Sequence, residues 1–148
     1  DAVQLFDTWA VLLSVEDYHR IALPATQRAI EVFRERAERR VPLIHYAKGS
    51  GHLHEAIRTL DIDALSLDWR DDLRANRASF GDRFAFQGNL DPSRMHGTPE
   101  AARTAAQRVL NEAGDAPGHV FNLGHGFAPG AQIDCVEAVL RLITGESA

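Results

Sequence analysis

Proton-handling chemistry in this sequence centres on His125, which sits between two glycines in Asn122-Leu123-Gly124-His125-Gly126. An imidazole changes charge near neutral pH, and flanking glycines let a ligand or backbone approach closely. A loop histidine bonded to backbone is the plainer reading of the same residues. Thr8, in Asp7-Thr8-Trp9, offers a neutral hydrogen-bond donor to a carboxylate, or else a cap for the next turn. Lys48 is the one lysine of the chain and precedes Gly49-Ser50-Gly51, which resembles an anion cradle at a helix start. It lacks the P-loop spacing of a lysine after the second glycine, so a nucleotide reading is weak. Asp68-Trp69 can line a pocket, but a strand-end aspartate more readily caps the following helix. Asn89 and Asp91, before Pro92, read first as a turn and second as support for a site. His52 and His54 differ by two, which on a helix points them to different faces. With no cysteine or third histidine nearby, they read as loop and surface histidines and no metal site is expected.

The elements that must position these residues alternate. Five short apolar runs, Val3–Asp7, Val41–Ala47, Ala64–Asp68, Phe84–Gly88 and His119–Leu123, have strand length, and each is followed by helical signals. That is the βαβ rhythm of a parallel sheet. Ser14 with Asp17 resembles a capping box, and Pro24 is placed to kink or split the helix that follows. The stretch Arg34–Arg40 reads as a solvated, ion-paired helix face rather than a nucleic-acid patch. Leu53–Leu60 and Asp71–Phe80 are the next predicted helices, the latter stopped by Gly81. Thr98, Pro99 and Glu100 start the best-marked helix, which Gly114 ends; a last helix covers 132–144 and stops at Gly145. Five strand ends in order carry polar or glycine residues. In a parallel architecture those ends share one face, where ligands gather. Periodicity leaves open whether the units form part of a barrel or a complete five-stranded doubly wound sheet.

Composition narrows the class. The chain has 148 residues, 45% hydrophobic and 25% charged, with a net charge of −5, which suits one compact domain with a real core. No run approaches the ~18 apolar residues of a membrane span, and no global basic field favours nucleic acid. The single Cys135 rules out a disulfide framework and a zinc site built on paired thiolates. It fits a reducing compartment, and within the last helix it reads as a small packed residue. No charged-then-apolar leader precedes the first run, so a cytoplasmic location without a targeting peptide is expected. The chain opens at Asp1, without methionine, directly into an apolar run, which reads as a cut through a larger protein.

Four strand-end segments carry a resemblance: Phe6-Asp7-Thr8-Trp9-Ala10, Leu67-Asp68-Trp69, Gln87-Gly88-Asn89-Leu90-Asp91-Pro92 and Phe121-Asn122-Leu123-Gly124-His125-Gly126. In order and spacing they resemble the uroporphyrinogen decarboxylases, and Ala47–His52 falls where that family has a glycine-containing loop. The similarity runs from Asp1 to about Ile143. It implies a TIM-type (β/α)8 barrel of which residues 1–148 are the C-terminal portion, about strands 4–8, with the N-terminal portion absent. The family's activity is a cofactor-independent carboxy-lyase reaction of haem biosynthesis. It converts the four acetate side chains of uroporphyrinogen to methyl groups, giving coproporphyrinogen, in a homodimeric enzyme. The resemblance further implies that Thr8 and His125 contact substrate, with His125 catalytic, and that Phe6 lines the cleft. The family's aspartate, arginines and pocket tyrosine belong to the absent part. Val11 departs from the pattern, standing where many members have glycine. A related barrel that moves methyl groups to thiols with zinc needs a thiolate pair that this sequence lacks. The remaining alternative is a half-barrel inactive alone, a folding or association unit with open strand edges.

Overall fold

A computed structural model of the chain describes residues 1–115 and 117–146. Its five strands are β1 (Val3–Phe6), β2 (Leu43–Tyr46), β3 (Ala64–Ser66), β4 (Ala85–Gln87) and β5 (His119–Val120). They form one sheet in the order β1-β2-β3-β4-β5, every pair parallel. Each connection therefore steps one strand in the same direction. A doubly wound sheet needs a reversal of strand order, and there is none, so that alternative falls. Right-handed crossovers of constant direction place the helices on one side and leave the other side as a lumen.

The sheet is also curled. Gln87 Nε2 on β4 donates to Gln4 Oε1 on β1 at 3.2 Å and to Ser66 Oγ on β3 at 3.0 Å. In a flat sheet β1 and β4 would stand about 14 Å apart, three strand spacings. Two glutamine side chains reach each other only if the strands wrap around a common axis. The chain is a five-stranded part of a barrel.

The paired strands are shorter than the apolar runs read from the sequence. Beyond β5 the pairing resumes once, at a parallel bridge between Leu90 and Leu123.

Helix boundaries follow local chemistry. Ser14 Oγ accepts from Asp17 N at 3.1 Å and starts α1 (Val15–Asp17). A π-turn over Tyr18–Ala22 leads into α2 (Leu23–Arg36), with Pro24 in its first turn. The proline lies inside one continuous helical run, and the wider i→i−5 turn before it (Leu23 N to the Tyr18 carbonyl) accommodates its ring and missing N–H without breaking the helix. The third helix, α3 (His54–Ile57), follows a 3-10 turn over Gly51–Leu53 and is shorter than expected. Thr59 Oγ1 donates to the Ala56 carbonyl at 2.8 Å, a local bond that competes with helix propagation. Asp72 caps α4 (Leu73–Phe80), accepting from Ala75 N at 2.8 Å. Thr98 caps α5 (Pro99–Ala113), accepting from Ala101 N at 3.2 Å, and Gly145 at φ +73° closes α6 (Ile133–Thr144).

The core lies between the sheet and these helices. Leu65 and Phe86 from the sheet are buried with Leu73, Phe80, Ala102, Ala106, Val109, Cys135 and Val139 from α4, α5 and α6. Cys135 is thus the packed residue expected. Arg34 is not a solvated side chain: it bonds to the carboxylates of Asp61 (3.1 Å) and Asp63 (2.7 Å) and to the carbonyls of Val41 and Asp61. These bonds tie α2 to the segments entering β2 and β3. No helix among the described residues is long and apolar enough to cross a membrane.

Two outcomes follow from this architecture. Strands β1 and β5 each have one unpaired edge, and Phe6, Val120, Phe127, Leu140 and Ile143 expose apolar surface. Prepared alone, the 148-residue chain is expected to elute as oligomers; a monodisperse monomer in light scattering would contradict this. His45 alternates with Tyr46 along β2 and faces the helices, fully buried, with no hydrogen bond to either ring nitrogen. Burial, reinforced by nearby His54, pushes it down to about 4 from the ordinary 6.5 of an imidazole. The unfolded chain therefore takes up this proton first, and stability present above pH 6.5 is lost as pH falls toward 4. The expected loss is roughly 3 kcal/mol, read as urea midpoints at pH 7 and pH 4.5. His45→Leu should abolish this contribution.

Candidate functional site

Parallel pairing puts the carboxyl ends of all five strands on one side, and the curl turns them toward one mouth. Phe6 and Tyr46 are register partners at the ends of β1 and β2, with rings 5.9 Å apart in an edge-to-face arrangement of 70°. The segment after β5 folds back across them. Gly124 N donates to the Leu90 carbonyl at 2.8 Å, and Tyr46 Oη donates to the Gly124 carbonyl at 2.9 Å. The same hydroxyl lies 3.1 Å from His125 Nδ1. The Tyr46 and His125 rings are tilted by only 15°, and the Trp69 ring stacks with His125 at 6.2 Å. Burial, with the charge of Asp68 adding to it, pushes the Tyr46 phenol up to about 12, so it stays protonated across the physiological range.

These groups border a cleft of about 250 Å³. Phe6, Tyr46, Asn122, His125 and Phe127 form its walls, and the hydrogen-bonded Gln4 and Ser66 form its floor. A larger open groove of about 840 Å³ runs between α5 and α6, far from the strand ends and lined by ion-paired surface residues such as Glu137 and Arg141.

The expected site residues divide. Phe6 and His125 share the cleft. Thr8 lies two residues past Phe6, half-buried, and is not among the lining residues. It caps no helix, since Ser14 takes that role at α1 and Trp9 precedes the intervening turn with no side-chain cap. Asp68 does not cap the next helix either. It is completely buried and accepts from Gly49 N (3.0 Å), Arg70 N (3.0 Å), Arg70 Nε (2.7 Å) and Arg70 Nη2 (2.9 Å). Burial alone would raise its pKa, but these hydrogen bonds and the Arg70 charge hold it below the usual carboxylate value. The Gly49 N–H is thereby given to an internal anion, and the cradle expected at Lys48-Gly49-Ser50-Gly51 is already filled by the protein itself. Val11 lies over Gly49, where a Cβ would come within 2.9 Å of Val11 Cγ2.

Asp91 accepts from Ser93 N at 2.9 Å, the turn expected. Asn89 donates to the carbonyls of Asp68 (2.9 Å) and Asp71 (2.7 Å), supporting the loop that carries Trp69. His54 is a correction: it is buried rather than superficial, bonded through Nδ1 to Asn76 at 2.9 Å and 3.7 Å from Asp71. His52 is exposed and bonds to the Leu13 carbonyl. Among the described residues no cluster of three or more His, Cys, Asp or Glu is placed to hold a metal ion.

Tyr46 is the site residue that the sequence reading misses, and Trp69, read there only as a possible pocket residue, has a more specific place. Tyr46 ends an apolar run and reads there as core. Trp69 carries two cations over its ring, Arg70 at 4.8 Å and Lys48 at 5.7 Å from its centre, an arrangement that joins two separate strand ends. The period-two alternation of β2 and the alignment of strand ends were the available signals, since they put Tyr46 level with Phe6.

Gly124 holds this arrangement by having no side chain. A Cβ there would collide with the Trp69 backbone nitrogen and lie 2.7 Å from its Cα. Gly124→Ala is expected to destabilise the protein by about 1–3 kcal/mol through overpacking, measured by denaturant midpoint. An unchanged midpoint would mean the loop yields freely.

Comparison with known proteins places the chain among relatives. The sequence profile of the family described as uroporphyrinogen decarboxylase (URO-D) matches residues 1–145. A uroporphyrinogen decarboxylase of Coxiella burnetii is 42% identical over 144 residues, covering 97% of this chain and 40% of that protein. One from Aromatoleum aromaticum is 44% identical over 143 residues, covering 96% of this chain and 39% of that protein. The chain therefore spans about 40% of the length of the curated relatives it matches. Among solved structures, a methyltransferase from Methanosarcina mazei superposes with a TM-score of 0.78 at 16% identity, over 99% of this chain and 43% of that one, a likeness of fold.

Proposed function

The chain belongs to the uroporphyrinogen decarboxylase family, and on that premise we propose that it forms one wall of a cleft in which uroporphyrinogen loses the carboxyl groups of its four acetate arms to give coproporphyrinogen. The observation that carries this reading is the convergence of Phe6, Tyr46 and His125 on one cleft at the strand ends. Its volume, about 250 Å³, falls short of the 300 Å³ or more that even drug-sized ligands occupy. A tetrapyrrole needs further walls, which the missing barrel units would supply.

The chemical difficulty is the electron pair left when carbon dioxide departs. Protonation of the pyrrole ring makes the substrate its own electron sink: the C–C bond of the acetate breaks into the cationic ring, the resulting methylene takes a proton to become methyl, and the ring then gives back the proton it first took. The substrate thus does the work of an organic cofactor. The protein must hold carboxylates, steady the cationic ring and deliver protons where charge develops.

In this reading His125 binds an acetate carboxylate or passes a proton, Thr8 donates a neutral hydrogen bond at the rim, and Phe6 flanks the macrocycle. The net charge of −5 does not oppose an octacarboxylate, because binding follows the local field. Lys48 stands at this mouth, while Arg70 is largely neutralised by Asp68. The remaining cationic groups come from outside this chain. Within a larger barrel, a homodimer in the cytoplasm is the assembly the family likeness supports; alone, these 148 residues are an inactive association unit.

The test is an assay of uroporphyrinogen conversion by the protein carrying this sequence. His125→Asn is expected to lower kcat/KM by on the order of a hundredfold, as for loss of a positioned acid or base. Thr8→Ala should raise KM by roughly three- to tenfold, the equivalent of one hydrogen bond. Normal turnover and affinity in both variants would overturn the assignment.

A further inference from the structure

We infer that Tyr46 is a positioning residue that sets the tautomer of His125, making Nδ1 the protonated nitrogen of the neutral ring and leaving Nε2 as the acceptor. As a statement about catalysis this rests on the decarboxylase reading; as a statement about the imidazole it does not.

The argument is a count of protons. The Tyr46 hydroxyl has one hydrogen and two neighbours, the Gly124 carbonyl at 2.9 Å and His125 Nδ1 at 3.1 Å. A carbonyl can only accept. Among the described residues no other donor reaches the Gly124 oxygen, and Gly124 is buried, so giving the hydroxyl proton to His125 would strand that carbonyl without a partner. The proton therefore belongs to Gly124. The phenol oxygen is left as an acceptor, and the group facing it must be Nδ1–H.

The phenol also stays a phenol, because burial and the charge of Asp68 keep it protonated to about pH 12. Nor can Gly124 easily turn its carbonyl away, since it is wedged against the Trp69 backbone and held to Leu90 through its N–H.

The consequence falls on the other edge of the ring. With Nδ1 committed to Tyr46, His125 has a single nitrogen left for the cleft it lines. That nitrogen is a bare lone pair in the neutral ring, able to accept from a carboxylic acid, and an N–H in the charged ring, able to donate to a carboxylate. One atom thus serves both halves of a proton transfer. Without Tyr46 the ring would be free to protonate Nε2, the form that imidazoles favour in water, and the acceptor would turn away from the substrate.

Nitrogen-15 spectra of histidine-labelled, ligand-free protein carrying this sequence test the tautomer, with the His125 signals assigned by their loss in His125→Asn. The expected result is Nδ1–H in the neutral ring of the wild type, and a shift to Nε2–H in Tyr46→Phe, which keeps the ring contact with Phe6. Nε2–H in the wild type, or an unchanged tautomer in the variant, would overturn the inference. The wild-type spectrum decides even where the variant does not fold. Tyr46→Phe should also lower kcat/KM on uroporphyrinogen about tenfold. Normal kcat/KM with a shifted tautomer would remove the catalytic role and keep the structural one. Nδ1–H in a wild-type protein that performs no decarboxylation would sink the functional reading alone.

Discussion

A hydrogen-bonded layer across the lumen, Gln4 to Gln87 to Ser66, expresses the constraint on which the rest of the molecule depends. Strands added always on the same side, with helices always on the outside, have to curve, and the lumen must then be filled by whatever side chains the inward positions carry. Three of those positions, Gln4, Ser66 and Gln87, are polar and bond to one another, which is the condition for burying them at all. The bond between β1 and β4 is possible only at high curvature. The same curvature brings residues at the ends of β1 and β2 to the segment that follows β5. Without it Phe6 and His125 would sit at opposite edges of a flat sheet.

Electrostatics at the mouth are organised by a buried charge. Asp68 is wholly enclosed, and its oxygens are consumed by Gly49, the Arg70 backbone and the Arg70 side chain. An enclosed carboxylate is tolerable only when its lone pairs are met in this way. The arrangement sets two neighbouring loops relative to each other and brings Arg70 and Lys48 over the Trp69 ring. His125 then stacks on the indole and leans on Tyr46. The site's geometry thus descends from an ion pair that itself touches no ligand in the proposed cleft.

Much of the fold is legible in the sequence. Caps at Ser14 and Thr98 and the stop at Gly145 were read correctly because each is a bond or a dihedral preference within a few residues. The five strands were located, though drawn too long, since apolar character continues past the point where backbone pairing ends. Errors gathered where a polar side chain had a choice of partners. Asp68 was read as a cap, yet Asp72 performs that role. His54 was read as superficial, yet it is packed beneath α4 residue Asn76. Arg34 belonged to a charged stretch, but two aspartates and two carbonyls claimed it.

Taken alone, the sequence determined the order of elements, their capping, the parallel rhythm and the glycine-flanked histidine at the last strand end, because these depend on near neighbours along the chain. Its periodicity left an open sheet and a barrel equally possible, the resemblance of its strand-end segments alone pointing to the barrel, and it gave no hint that Tyr46 and His125, 79 positions apart, would share a hydrogen bond. Those matters were settled in three dimensions. Curvature and register belong to the whole sheet, and only when they are set does a side chain acquire the partner that decides what it does.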